Sequence, residues 1–231
     1  MAVVDIRSLG SLALFRGLPE DALRFLAERL RRRVFAAGSS VLTADQPGEG
    51  LYVILDGSVR IFLDDPDGSE VTLAFLGPGD SVGEMSLVDR TGRSANVTAL
   101  EESTLLWLDR DTFLAGLRQY PGLSENLVRE LSGRLRAANQ QIRALTTLDV
   151  AGRVARQLLV FAEHYGIADQ NGGVRIPMPL PQRAIADLVG ATRERVNRVL
   201  VGLRRQKTLS VDTHYRVTLH DKRALEKLCN A

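Results

Sequence analysis

The sequence predicts an α+β chain built from an N-terminal β-roll or jelly-roll barrel, one long helix and a C-terminal winged helix-turn-helix. Three observations carry that prediction. Short runs of alternating apolar residues, broken by glycine-bearing turns, fill residues 33–109. From Pro121 onward, Leu127, Leu131, Leu135, Ala138, Ile142 and Leu145 recur at spacings of 4, 4, 3, 4 and 3. Two short helical patterns, joined at Gly190-Ala191 and followed by a small hairpin pattern, close the chain. The expected domain bounds are 1–120, 121–148 and 149–231.

Pro19-Glu20-Asp21 leads into Ala22, Leu23, Phe25, Leu26 and Leu30, an amphipathic helix whose first-turn acids complement the helix dipole. Leu51, Val53 and Leu55 alternate up to Asp56-Gly57, and Val59, Ile61 and Leu63 alternate after it, which reads as a hairpin. Asp67-Gly68 precedes Val71, Leu73 and Phe75, Gly77-Pro78-Gly79 ends that strand, and Val97, Ala99, Leu105 and Trp107 mark later strands. The long helix carries Arg129, Glu130, Arg134, Arg136 and Gln140 outside its apolar seam. That seam reads as a parallel dimer interface; packing on the chain's own β-domain is the alternative. Asp149 is a good N-cap for the apolar helix that starts at Val150, after a hinge at Thr146-Thr147-Leu148. Gly166–Gly173 reads as a surface loop, Pro181–Val189 and Thr192–Lys207 as two helices, Leu209–Val211 and Tyr215–Leu219 as a hairpin, and Asp221 as the cap of a last helix.

Composition narrows the function. The 231 residues are 45% hydrophobic and 25% charged, ordinary for a globular protein, and no apolar run approaches the roughly 18–20 residues of a membrane span. Met1–Phe15 carries Asp5 and Arg7 and makes a poor signal peptide. The single cysteine, Cys229, excludes an internal disulfide, a multi-cysteine zinc site and a cysteine-ligated iron–sulfur cluster. A cytoplasmic protein with no membrane partner is expected. Residues 149–231 hold 14 Lys and Arg against 8 Asp and Glu, while residues 1–148 hold 16 against 20. A basic C-terminal part beside an acidic N-terminal part fits a nucleic-acid module attached to something else.

Two constellations carry chemistry. On the second helix of the helix-turn-helix, Val196, Val199, Leu200 and Leu203 form the apolar face, Glu194, Arg198 and Arg205 lie opposite, and Arg193 and Asn197 flank them. Arginine reads guanine O6 and N7 bidentately, and glutamate accepts from cytosine N4. Thr192 can cap this helix and, with Gln182, Arg183 and Arg195, contact backbone phosphates of double-stranded DNA. The second constellation is Gly83-Glu84-Met85-Ser86, followed after a short interval by Arg93-Ser94-Ala95. A glycine, an acid, an arginine and a hydroxyl in one barrel loop suit a small sugar-phosphate, the arginine and backbone N–H groups taking the phosphate and the carboxylate a ribose hydroxyl. A plain Glu84–Arg93 ion pair is the alternative.

GEMSLVDRTGRSA, the long helix ending LTTLDVAGRVARQLL and the reader RERVNR resemble the catabolite-activator/fumarate-nitrate-regulator (Crp/Fnr) family of bacterial transcription factors, specifically its cyclic-AMP receptor branch, over nearly the whole chain. That resemblance implies a homodimeric regulator with cyclic AMP as effector and RNA polymerase as a further partner. By it, Arg93 and Ser94 hold the cyclic phosphate, and Glu84 with the Gly83 backbone holds the ribose, Met85 lying between them in the cassette. The family often places Thr-Ser on the long helix for the adenine; this chain has Ala138-Asn139 there. Arg193, Glu194 and Arg198 match the family's readers of a TGTGA-like half-site.

The family's oxygen-sensing branch uses an N-terminal cysteine cluster and its carbon-monoxide branch a haem histidine in the roll. This chain has neither, since His164, His214 and His220 all lie beyond the roll. Metal, haem and iron–sulfur cofactors are therefore not expected, and a barrel enzyme lacks both metal ligands and a nucleophile–base pair. The same regulator acting without nucleotide, or with another effector, is the alternative; a regulatory subunit of an enzyme would not need the reader helix.

Overall fold

The computed structural model describes residues 5–170 and 172–229, and its fold is α+β. Contacts gather the chain into two compact units, one running through residue 63 and over 75–137, the other comprising 64–74 and 138 onward.

In the first unit, α1 (Ile6–Leu9), a 3-10 turn (Ala13–Phe15) and α2 (Glu20–Ala27) bury Leu9, Leu14, Phe15 and Leu26 in the core of the roll. The roll consists of β1 (Arg31–Phe35), β2 (Ser40–Leu42), β3 (Gly50–Asp56), β4 (Val59–Asp64), β5 (Glu70–Leu76), β6 (Ser81–Val82), α3 (Met85–Val88), β7 (Asn96–Ala99) and β8 (Ser103–Asp109). Its strands form two sheets, ordered β1-β8-β3-β6 and β2-β7-β4-β5. Helices α4 (Arg110–Gln119) and α5 (Pro121–Thr147) follow, and Phe113, Leu123 and Leu127 join the same core.

The expected hairpin across Asp56-Gly57 is corrected. The strands and the turn are there, but β3 pairs with β8 and β6, whereas β4 pairs with β7 in the other sheet. Alternation reports which face of a strand is buried, not which strand it pairs with. Leu51, Tyr52, Val53 and Ile54 are all buried, so β3 is covered on both faces. Gly57 has φ +82, and a Cβ there would meet the backbone of Glu102 and Ser103, so the crossing between sheets needs glycine. On β5, Phe75 is buried as expected, but Thr72 is buried while Val71 and Leu73 are exposed. An interval of three between inward residues is one that a two-residue period cannot follow.

Besides residues 64–74, which include most of β5, and α5 from residue 138, the second unit holds α6 (Val150–Tyr165), β9 (Ile167–Ala168), β10 (Val174–Arg175), α7 (Gln182–Leu188), α8 (Arg193–Arg205), β11 (Leu209–Val211), β12 (Val217–Leu219) and α9 (Lys222–Leu228). Its strands form a sheet ordered β11-β12-β10-β9, a larger wing than the sequence suggested. The segment read as a loop supplies β9, which pairs Ala168 with Val174 and Ile167 with Arg175. The caps fall where the sequence puts them: Asp149 accepts from the Gly152 N–H at 2.8 Å and Asp221 from the Ala224 N–H at 3.0 Å. A Cβ on Gly152 would lie 2.7 Å from the Leu228 carbonyl, so α6 and α9 meet through a residue without a side chain.

Candidate functional site

The cassette of residues 83–95 runs from the end of β6 through α3 and the loop into β7. Gly83 has φ +87, and a Cβ there would lie 2.6 Å from an Arg93 guanidinium nitrogen. Glycine at this position thus serves two needs, a left-handed backbone and room for the arginine. Arg93 is buried and donates to the Gly83 carbonyl at 2.6 Å, the Gly50 carbonyl at 2.6 Å and the Ser86 hydroxyl at 2.8 Å. Ser94 is exposed, its hydroxyl 3.9 Å from the sulfur of the exposed Met85. A cavity of about 500 Å³ reaches Arg93, walled also by Arg33, Leu42, Glu49, Tyr52 and Trp107. Neither Glu84 nor Ser94 lines it. A phosphate engaging Arg93 from the cassette would therefore have to replace backbone carbonyls as its partner.

The alternative Glu84–Arg93 ion pair is not formed. Glu84 is 1% exposed and pairs with Arg134 of α5, guanidinium to Oε1 at 2.7 Å. Its Oε2 is buried with no hydrogen-bond partner among the described residues. Burial pushes the Glu84 carboxyl above its usual range, opposed by the Arg134 charge and reinforced by the nearby Glu130 carboxylate. Arg134 also donates to Glu130 and to the Ser81 carbonyl, and the Ser81 hydroxyl donates to Glu130 at 2.9 Å. Sequence reading missed Ser81, Glu130 and Arg134. The pattern of α5 sets Glu130 and Arg134 only outside the seam, and nothing local links them to a cassette some fifty positions earlier.

The seam on α5 needs one correction. Leu127, expected in the interface, is 5% exposed and buried in the roll's own core, and Leu131 packs partly against the same core. Val128, one residue on, is 62% exposed, with Leu135 at 64% and Ile142 at 62%. These three are spaced by seven, and Leu131, Ala138 and Leu145 follow each by three, giving a regular heptad in which Val128 takes the place of Leu127. Ala138 and Asn139 are both exposed.

In the second unit, α7 and α8 are joined through Gly190, at φ +61, with the Ala191 N–H donating to the Ala186 carbonyl at 2.9 Å. Val196, Leu200 and Leu203 bury the inner face of α8, and Arg193, Glu194, Arg195, Asn197 and Arg198 are exposed on the outer face. The Thr192 hydroxyl accepts from the Arg195 N–H at 3.4 Å. Glu194 lies below the usual carboxylate range because backbone N–H and the Thr192 hydroxyl donate to it, which keeps it an acceptor. Arg183 is exposed at the start of α7, and Gln182 donates to the Asn197 side chain at 3.1 Å. At the wing tip Asp212 accepts from the N–H groups of His214 and Arg216, and Tyr215 stands exposed at φ +60.

Among the described residues no helix is long and apolar enough to cross a membrane, and no group of three or more His, Cys, Asp and Glu is placed to hold a metal ion.

The cyclic nucleotide-binding domain matches residues 32–120 and the Crp-like helix-turn-helix domain residues 152–228. The CRP-like cAMP-activated global transcriptional regulator of Mycobacterium tuberculosis is 38% identical over 192 residues, 83% of this chain and 85% of that one. The cyclic AMP receptor protein of Thermus thermophilus is 35% identical over 190 residues, 82% of this chain and 84% of that one. The structure of FixK2 from Bradyrhizobium japonicum superposes with a TM-score of 0.78 at 23% identity, over 87% of this chain and 98% of that one, a likeness of fold alone. Residues 83–95 and α8 both lie inside the matched domains, and the chain belongs to the Crp/Fnr family of DNA-binding transcription regulators, with an N-terminal cyclic-nucleotide-binding domain and a C-terminal Crp-like helix-turn-helix.

Proposed function

We propose that the protein is a cytoplasmic, homodimeric, cyclic-AMP-responsive transcription regulator, not an enzyme, that reads a TGTGA-like inverted repeat and acts with RNA polymerase. The observation that carries the ligand-responsive part is the Arg134–Glu84 bridge. It ties the cassette to α5, the helix whose exposed heptad would form the dimer interface. Cyclic AMP would place its phosphate on Arg93 and Ser94, beside Gly83 and Met85, and its ribose on Glu84. Its base would face Ala138 and Asn139 on α5, where Asn139 can both donate to and accept from an adenine edge. A ligand that touches α5 biases a two-state arrangement of the helix pair, and with it the spacing of the two α8 helices. If competent and incompetent forms differ by a few kcal/mol, binding the competent form about 10²–10⁴ times more tightly suffices.

DNA would be read by Arg193, Glu194 and Arg198, with Gln182, Arg183, Thr192 and Arg195 on the phosphates. A DNA-binding titration at fixed salt with cyclic AMP, cyclic GMP and no nucleotide tests the reading. Tight binding only with cyclic AMP supports it, and equal binding in all three arms overturns the ligand dependence.

A second reading keeps the DNA function and replaces the effector. Two observations favour it: Ala138 offers no hydrogen bond where the family often has a hydroxyl, and Arg93 is already satisfied by backbone carbonyls.

A further inference from the structure

Two carboxylates share one guanidinium beside the cassette. Arg134 donates through one nitrogen to Glu84 Oε1 and through the other to Glu130 Oε1 and the Ser81 carbonyl. Glu130 is fixed from the other side, since the Ser81 hydroxyl and the Ser81 N–H both donate to the same oxygen, at 2.9 and 3.3 Å. The second oxygens of both carboxyls are buried without a partner among the described residues. One guanidinium thus bonds both carboxylates, and among the described residues neither carboxylate has a cation of its own in hydrogen-bond contact. Three charged groups act on Glu84: Arg134 and Glu130 from α5, and Arg93 from the loop before β7.

We propose that Glu130 is a positioning residue of the nucleotide site: it anchors Arg134 between Ser81 and Glu84 and sets a second carboxylate beside the residue that takes the ribose, so that nucleotide affinity depends on pH through this pair and falls as the pH falls. The inference rests on the cyclic-nucleotide reading. An ionised Glu84 accepts a ribose hydroxyl in a charge-assisted bond, and a protonated one makes a weaker contact. Nucleotide binding therefore releases a proton from the fraction of chains in which Glu84 is neutral. Burial already favours the neutral form, and the Glu130 charge favours it further. Glutamine at position 130 keeps an oxygen for Arg134 and Ser81 but removes the charge. Alanine removes both.

The test is calorimetric titration of the full chain with cyclic AMP between about pH 5.5 and 8, at constant ionic strength, for wild type, Glu130→Gln and Glu130→Ala. Wild-type affinity is expected to drop by up to about tenfold per pH unit below the Glu84 midpoint. In Glu130→Gln that drop should begin at lower pH, leaving the variant several-fold tighter than wild type at the acid end. Glu130→Ala, with Arg134 unanchored, should bind more weakly at every pH. Superimposable pH profiles for wild type and Glu130→Gln would overturn the proposal, as would a Glu130→Gln variant that merely weakens binding as alanine does. Carbon-13 titration of the side-chain carboxyls without nucleotide supplies an independent readout. The Glu84 midpoint should fall in Glu130→Gln, and an unmoved midpoint refutes the coupling. Absence of any cyclic-AMP binding by wild type would instead overturn the effector assignment, leaving the carbon-13 result to decide the Glu84–Glu130 coupling.

Discussion

The guanidinium nitrogens of Arg93 that bond the roll are the ones that would meet the ligand phosphate under the proposed reading. The Arg93 bonds to the Gly83 and Gly50 carbonyls and to Ser86 hold the cassette loop against β3. Arg93→Ala removes the charge-assisted partner of the ligand phosphate, a loss of about 2–5 kcal/mol, so cyclic-AMP affinity should fall by roughly 30-fold or more. It also removes a donor from the Gly50 carbonyl and leaves the Gly83 carbonyl only the Ser86 hydroxyl, at 3.3 Å; a buried hydrogen bond lost without replacement costs about 1–3 kcal/mol, so the melting temperature should fall with it. A drop in affinity with unchanged stability would contradict the bonds drawn here.

Glu84 gives the opposite stability sign. Its carboxyl is held above the usual range, so its contribution is fully present below the unfolded-state value and is lost as the pH rises through the folded-state value. Melting curves without nucleotide should show stability declining above the ordinary glutamate range. Glu84→Gln should flatten that decline while weakening nucleotide binding, and a slope equal to wild type would refute the assignment.

At the scale of elements, α5 shows what spacing does and does not specify. Leu127 and Val128 are adjacent apolar residues, and a 3-4 pattern can start from either. Starting at Leu127 gives a spacing of 4, 4, 3, and starting at Val128 gives the regular 3, 4, 3, 4, 3 of a heptad. The choice is made by the roll core, which claims Leu127, and core contacts are not written in the helix's own pattern. Two outcomes separate the roles. Leu135→Glu with Ile142→Glu should give monomers by sedimentation and lose tight DNA binding. Leu127→Ala should cost about 2–5 kcal/mol of roll stability and leave the oligomeric state alone. A fully dimeric charge mutant would move the interface elsewhere.

The same limit explains the rest of what was and was not legible. Asp149, Thr192 and Asp221 were readable as caps because a cap and its N–H lie within one turn. Gly83, Glu84 and Arg93 were readable as a cassette because their spacing is short. The pairing of β3 with β8 and the reach of Arg134 to Glu84 depend on partners about fifty residues away, and no local period encodes them.

At the scale of the whole molecule, the proposed reading gives α8 its meaning only in duplicate. Glu194 and Arg198 lie one turn apart on the exposed face of α8, opposite the buried Val196 and Leu200, and Arg193 stands beside them at the helix N-terminus, the end that a recognition helix presents to the major groove. Two such helices related by a dimer axis read an inverted repeat with half-sites about one helical turn apart, near 34–36 Å. Arg195 is also exposed, but its backbone N–H faces the Thr192 cap and its side chain leaves the helix about 100° from Glu194. That direction suits a phosphate. Truncating Arg193 or Arg198 should cost about 1–3 kcal/mol each and relax preference at one guanine position. Arg195→Ala should weaken all sequences about equally and lower the salt dependence by close to one phosphate contact. If nucleotide and DNA act on one equilibrium, as proposed, DNA carrying the repeat must tighten nucleotide binding by the same factor that nucleotide tightens DNA binding. Selection from random duplexes, repeated with each variant, measures the base assignments. A selected palindrome without TGTGA-like arms, or an Arg195→Ala protein that prefers different bases, would remove them.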